Sequence, residues 1–230
     1  SEAKAGFGDP TLLLERYVEK ARHIEVQVLG DAHGNLVHLF ERDCSLQRNH
    51  QKVIEEAPAP DLSEPLRKAI LKSAITLASA VAYQNAGTVE YLLDENTGEF
   101  FFLEMNTRLQ VEHPVTEAVT GIDLVDCQLR VAAGEPLSFR QEDINCIGWA
   151  VEARVAAEDP TNDYRPETGV ITDFTAAVNC RTDSGVEAGS VVSHHYDSML
   201  AKVIAHAQDR ASAISQLAAG LAKMRIGGIT

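Results

Sequence analysis

Two glutamates and an asparagine, Glu90, Glu104 and Asn106, lie on the arms of a hairpin pattern. Gly87 to Leu93 and Glu99 to Met105 read as strands joined by a turn at Asn96-Thr97-Gly98. A turn centred on Thr97 sets Glu90 opposite Glu104, with Asn106 two residues further along the same face. Like charges directly opposed destabilise a sheet, so folding alone does not select this pair. A divalent cation resolves the conflict, because carboxylate and amide oxygens suit Mg2+, which often bridges to substrate phosphates. A register shifted by one residue would instead leave both glutamates facing solvent. Beyond Asn106, an extended course puts Arg108, Gln110 and Glu112 on one side. That array can hold a small planar anion, with a fork of donors, one further donor and a base beside the bound species. The same alternation also describes a solvated strand face. His50 and Lys52 are equally open between structural and catalytic use.

The elements that must position these groups begin with Leu12 to Val18, which reads as a short buried strand. Arg22 to Leu29 alternates, with Ile24, Val26 and Val28 on one face and His23, Glu25 and Gln27 on the other. A turn at 31–35 and a strand from Leu36 to Glu41 complete a hairpin. Gln47 to Glu56 is extended in rhythm, with His50, Lys52 and Ile54 on one side, and Pro58-Ala59-Pro60 ends it. Ser63 caps a helix whose stripe is Leu66, Ile70, Leu77 and Val81; Asp123 to Ala133 is a second helix, stopped by Gly134. Trp149 to Ala156 is a strand carrying Glu152 and Arg154 on one face, with further strands at 170–175 and 203–206. Asp209 caps a last helix with the stripe Ile214, Leu217, Leu221 and Met224. A soft boundary falls between Phe139 and Gly148.

The 230 residues suffice for one large or two small domains, and 45% apolar with 23% charged content excludes bulk disorder and coiled coil. Twenty basic against 34 acidic residues, a net charge of −14, argue against a nucleic-acid or anionic-membrane surface. A local basic pocket for a small phosphorylated ligand stays compatible with that balance. The longest nearly apolar stretch, Ala74 to Tyr83, is half of a bilayer crossing, and no secretory signal pattern opens the chain. Cys44, Cys127, Cys146 and Cys180 form no CxxC pair, which points to a reducing, cytosol-like compartment. A start at Ser1 without methionine and an end just after a glycine pair read as part of something longer.

Four runs carry a family resemblance: RHIEVQV at 22–28, ERDCS at 41–45, RNHQKVIEEAP at 48–58 and EMNTRLQVEHPVTE at 104–117. Together with Glu152-Ala153-Arg154 and Tyr196-Asp197-Ser198-Met199, they resemble biotin carboxylase, the ATP-grasp module of biotin-dependent carboxylases. The overall tone is closest to the biotin carboxylase subunits of acyl-CoA carboxylases. The resemblance implies that Glu90 and Glu104 are metal and ATP ligands and that Asn106 completes the shell of a second ion, Mg2+ or Mn2+. It implies nucleotide contacts at His23, Gln47 and His50, and an adenine-reading hinge at Glu15, Arg16, Tyr17 and Val18. Lys52, Arg108, Gln110, Val111 and Glu112 would form the bicarbonate pocket, with Glu112 as the base. Arg154 would stabilise the biotin enolate. Biotin would arrive on a carrier domain or subunit, and a carboxyltransferase subunit would accept the carboxyl group. The full-length protein would be a homo-oligomer, cytoplasmic or in the mitochondrial matrix, with no nucleic acid or membrane partner.

Arg16, Asn49 and Ser193-His194-His195 depart from the usual residues of the family without removing a catalytic group. Nothing matches the family's N-terminal nucleotide fold, its glycine-rich lid or its last C-terminal elements, so this segment alone is expected to be inactive. The expected fold is α+β: a partial ATP-grasp domain over residues 1–145, then a partial biotin carboxylase C-terminal domain over 146–230. Two rivals stand beside this reading. One is another ATP-grasp carboxylate–amine ligase, which would share the metal hairpin. The other is a catalytically silent segment that serves in subunit contact.

Overall fold

In a computed structural model, residues 2–229 are described. After a short helix α1 (Glu2–Phe7), eight strands form one antiparallel sheet. They are β1 (Ala21–Gly30), β2 (Leu36–Arg48), β3 (Gln51–Ala57), β4 (Asn85–Asp94), β5 (Phe100–Asn106), β6 (Trp149–Ala156), β7 (Arg181–Ser184) and β8 (Met199–Ala207). Their spatial order is β7-β8-β6-β3-β2-β1-β4-β5. The helices α2 (Glu64–Ala80), α3 (His113–Thr120), α4 (Leu124–Ala132) and α5 (Arg210–Leu221) cover both faces, so the fold is α+β. The stretch expected to hold a domain boundary is a 3-10 turn at Gln141–Asp143 and irregular chain; β6, just beyond it, pairs with β3 in the same sheet.

The alternation of β1 explains how the sheet is sandwiched. Ile24, Val26 and Val28 pack with Val89, Tyr91 and Leu93 of β4 against Ile70, Ala74 and Ala78 of α2. The helical stripe therefore runs through small residues, and Leu77 and Val81, expected inside, are exposed. Ser63 stands at the N-cap but makes no side-chain cap bond. On the same side, Val151, Ala153, Val203 and Ala205 pack against Ala213 and Leu217 of α5; Ile214 is exposed. Asp209 caps α5 by accepting from the Ser212 amide. The opposite face is covered in part by α3, through Val115 and Val119, and by α4, through Leu124 and Cys127. His23, Glu25 and Gln27 point to that second side and are buried or nearly so, a polar interior layer rather than a wet surface.

Several expectations fail for identifiable reasons. Leu12 to Val18 is not a buried strand: the chain there is irregular, and Leu12, Leu13 and Leu14 are 75%, 85% and 94% exposed. Of that run Arg16 reaches the β4–β5 hairpin, but the side chains of Leu12, Leu13 and Leu14 stand in solvent. Residues 47–56 are not one extended stretch. Arg48 pairs with Gln51 around a two-residue turn, with φ of 50° at Asn49 and 63° at His50. A hairpin of this kind needs two left-handed residues, and Asn and His tolerate that region better than most. Arg108, Gln110 and Glu112 are not on a strand either. β5 stops at Asn106, and Glu112 is the N-cap of α3, with Pro114 in its first turn. The expected strand at 170–175 is two short pieces, 169–170 and 173–175.

Candidate active site

The β4–β5 register pairs Glu90 with Glu104 and Thr88 with Asn106. It does so through two compensating features. Near the turn Tyr91 opposes Phe102, one residue out of the expected step, and an extra residue at Leu103 then restores the Glu90–Glu104 pair. Asn106 Nδ2 donates to Glu90 Oε1 at 3.0 Å and to Glu104 Oε1 at 3.1 Å, so one amide spans both carboxylates. Glu90 is buried, whereas Glu104 opens to a cavity of about 810 Å³.

Lys52 is the central charge of that cavity. Its Nζ lies 2.9 Å from Glu90 Oε1 and 2.6 Å from Glu112 Oε1, and it also donates to Glu25. Burial works against its charge, but Glu25 and the other nearby acids outweigh it and keep the ammonium firmly protonated. His23 Nε2 is 2.9 Å from Glu90 Oε2; burial again opposes the charged ring, and contacts with Glu25 and Glu90 raise its pKa to about 9. Gln110 Nε2 donates to Glu90 Oε1 at 2.7 Å. Glu112 accepts from Lys52 on one oxygen and from Arg154 Nη2 on the other, at 3.0 Å. Lys202 fixes Val111 by donating to its carbonyl at 2.6 Å. Arg108 reaches Asn106 Oδ1 at 3.0 Å and is exposed to the cavity.

His23, Gln47, His50, Lys52, Glu90, Glu104, Asn106, Arg108, Gln110, Val111, Glu112 and Arg154 thus line one space. Glu15, Arg16, Tyr17 and Val18 do not line it. Arg16 instead lies 3.8 Å from Asp94 and 5.2 Å above the Phe101 ring, at the turn end of the β4–β5 hairpin, on the face that carries Glu90. Other parts of the site were not singled out from sequence. Arg42 of β2 is wholly buried and donates to Glu25, Gln27, Thr88, Gln110 and Thr116, tying the loop before α3 to the sheet. Its signal was present: on a strand whose neighbours face a polar layer, an arginine at an inward position needs several acceptors. At the rim Arg48 pairs with Glu158 and stacks 4.1 Å above the Tyr164 ring, and Glu158 accepts from Ser198.

The two facing carboxylates of Glu90 and Glu104 fit a hard divalent ion, with Glu104 open to the cavity; Asn106 turns its Nδ2 to them and its Oδ1 to Arg108, so it would offer oxygen to an ion only with the amide turned over. Two other groups bring ligand atoms together, His23–Glu25–Glu90 and Glu25–Cys44–Glu112. The Lys52 ammonium touches Glu25, Glu90 and Glu112 and already balances both groups. Burial also pushes the Cys44 thiol up, away from the thiolate a metal would need.

The chain matches two family profiles, "Carbamoyl-phosphate synthase L chain, ATP binding domain" over residues 1–140 and "Biotin carboxylase C-terminal domain" over 152–230. It is 49% identical over 231 residues to the mitochondrial methylcrotonoyl-CoA carboxylase subunit alpha of Arabidopsis thaliana, covering 99% of this chain and 32% of that protein. It is 51% identical over 225 residues to biotin carboxylase 2 of Bacillus subtilis, covering 97% of this chain and 50% of that one. The chain therefore spans about a third to a half of these relatives. Among solved structures, the biotin carboxylase domain dimer of Hydrogenobacter thermophilus 2-oxoglutarate carboxylase, in complex with MgADP, ADP and bicarbonate, superposes with a TM-score of 0.93 at 42% identity. That match covers 100% of this chain and 51% of that one.

Proposed function

The chain belongs to the biotin carboxylase family, and on that premise we propose that its cavity, within the whole protein, carboxylates protein-linked biotin with bicarbonate and ATP. The observation that carries the reading is Glu112, held between Lys52 and Arg154 in a cavity whose other wall is the Glu90–Glu104–Asn106 group. Arg108, Gln110 and the Lys52 ammonium supply donors and charge for a planar bicarbonate. Glu112 is placed to accept its proton as a bicarbonate oxygen attacks the terminal phosphate of ATP, with ADP as the leaving group and carboxyphosphate as the product. A divalent ion at Glu90 and Glu104, with Asn106 beside them, would offset the phosphate charge during that transfer. Carboxyphosphate would break down to carbon dioxide and phosphate, the phosphate taking the ureido N–H proton of biotin, and Arg154, on the far side of Glu112, is placed to stabilise the negative charge on the ureido oxygen as the nitrogen attacks that carbon dioxide. His23, Gln47 and His50 are assigned to the nucleotide; for Glu15 to Val18 the support is the family resemblance alone.

We propose residues 1–145 as the ATP-grasp part and 146–230 as the C-terminal part; the profile matches at 1–140 and 152–230 support this division. The match at 152–230 favours this reading over another ATP-grasp carboxylate–amine ligase. Biotin would come on a carrier domain or subunit, and a carboxyltransferase would use the product. The full-length protein would be a homo-oligomer, and it would work in the cytoplasm or, if eukaryotic, in the mitochondrial matrix. No described helix is long and apolar enough to cross a membrane. The test is phosphate release from ATP by the whole protein. It should require bicarbonate and rise with free biotin, whereas a requirement for an amine in place of bicarbonate would refute the assignment.

A further inference from the structure

Behind Arg154 lies a pair of acids that the reaction above does not use. Glu55 of β3 and Glu152 of β6 oppose each other in the β3–β6 ladder, and both are wholly buried. Glu55 accepts from Arg154 Nε at 2.6 Å, and its second oxygen has no partner. Neither oxygen of Glu152 has a hydrogen-bond partner. Two facing carboxylates in such a place cannot both stay charged. Burial, with repulsion from Glu55, drives the Glu152 carboxyl far toward its neutral form. Burial also lifts Glu55, to about 7, and Arg154 resists that rise. The groups facing this pair are Arg154 on β6, Glu112 at the head of α3, Glu25 on β1 and Lys202 on β8.

We propose that Glu55 is the positioning residue for Arg154: it grips the guanidinium by the Nε edge and so aims the Nη edge at Glu112 and the cavity. An arginine on a strand has several rotatable bonds, and its single contact with Glu112 through Nη2 would let the group swing or collapse into a closed pair. With Nε tied down, the fork has one orientation, and Nη1, which bonds to no described residue, is left for an anion in the cavity. Glu152, two residues before Arg154 on the same strand face, makes no hydrogen bond to the guanidinium and so does not compete with Glu55 for it.

The assignment rests on the biotin carboxylase reading and predicts a selective defect. In the whole protein, Glu55→Ala should lower carboxybiotin formation about 10–100-fold, the scale of a lost supporting hydrogen bond, while bicarbonate-dependent phosphate release falls much less. Glu55→Gln, which keeps an acceptor for Nε, should recover part of the loss, and Glu152→Gln should leave the ratio of the two products unchanged. Glu55→Ala should add nothing once Arg154→Gln is present. Proportional loss of both activities, an additive double variant, or the same shift from Glu152→Gln would each overturn the proposal. A second readout holds even if the protein makes no carboxybiotin, an outcome that would sink the functional reading instead. The Arg154 Nε–H resonance, protected by Glu55, should lose its slow exchange with water in Glu55→Ala, and an unchanged resonance would refute the grip.

Discussion

Replacing Arg42 with methionine should expose how much of this fold rests on its polar layer. Arg42 is wholly buried and donates to Glu25 at 2.6 Å, Gln27 at 2.8 Å, Thr116 at 2.9 Å, Gln110 at 3.2 Å and Thr88 at 3.3 Å. Methionine fills much of the volume, so the loss is electrostatic. The threonine hydroxyls can turn to other acceptors, but Glu25, also wholly buried, keeps only Lys52 and His23. Removing one partner of a buried ion pair costs about 3–5 kcal/mol, a large share of the roughly 5–15 kcal/mol that holds a typical domain. Urea titration of the chain should show that loss at an unchanged slope. In the native protein burial tends to raise the Glu25 pKa, and Arg42 and its other partners hold it well below the usual range. Without Arg42 the carboxyl should rise above its unfolded value, so the variant should regain stability as pH falls toward the ordinary carboxylate range. Glu25→Gln added to Arg42→Met should recover part of the loss at neutral pH. A cost below about 1 kcal/mol, far under the buried-pair scale, or a double variant weaker than the single one would refute the reasoning.

Glu152→Gln should raise the melting temperature at neutral and alkaline pH. Burial and repulsion from Glu55 raise the Glu152 pKa well above that of the unfolded chain, so the native acid loses stability as pH rises; a variant less stable on the alkaline side would contradict this. The His23 ring, with a pKa of about 9 against an ordinary 6.5, should stay charged at neutral pH, and its contribution should fade as pH climbs from 6.5 through 9. A proton NMR titration of the ring near 6.5 would rule that out. Glu104→Gln should weaken Mn2+ binding, measured by electron paramagnetic resonance, while the metal-free protein gains about 0.2–1 kcal/mol from lost like-charge repulsion. Unchanged Mn2+ affinity would move the metal elsewhere.

Local patterning made much of the scaffold readable, since β1, the β4–β5 hairpin, α4 and α5 follow directly from alternation and caps. The Glu90–Glu104 pairing is instructive because a simple turn argument reaches it, although the chain arrives through a displaced turn and a bulge at Leu103. The turn at Asn49-His50 was hidden because it contains no glycine, and without it His50 is placed on a strand instead of at a turn, although it still shares the cavity with Lys52. At Glu112 the proline of His113-Pro114 was the available sign that a helix begins, and it was outweighed by the alternation of Arg108, Gln110 and Glu112. The facing of Glu55 and Glu152 depends on strands far apart in the chain, which no local period reports. Leu12 to Val18 shows the converse: an apolar run forms a buried strand only where another element covers it.

The most direct test of the account separates the two ends of the cavity, Glu112 and Arg154, within one assay. Phosphate release from ATP and formation of carboxybiotin are measured in parallel for the whole protein and two variants. Glu112→Ala should lose both activities, because the base that starts the reaction with bicarbonate is gone. Arg154→Gln should keep part of the bicarbonate-dependent phosphate release while losing about 10²–10³ in carboxybiotin, the cost of one well-placed electrostatic stabiliser. Equal proportional losses of both activities in the two variants would contradict the early role assigned to Glu112 and the late role assigned to Arg154.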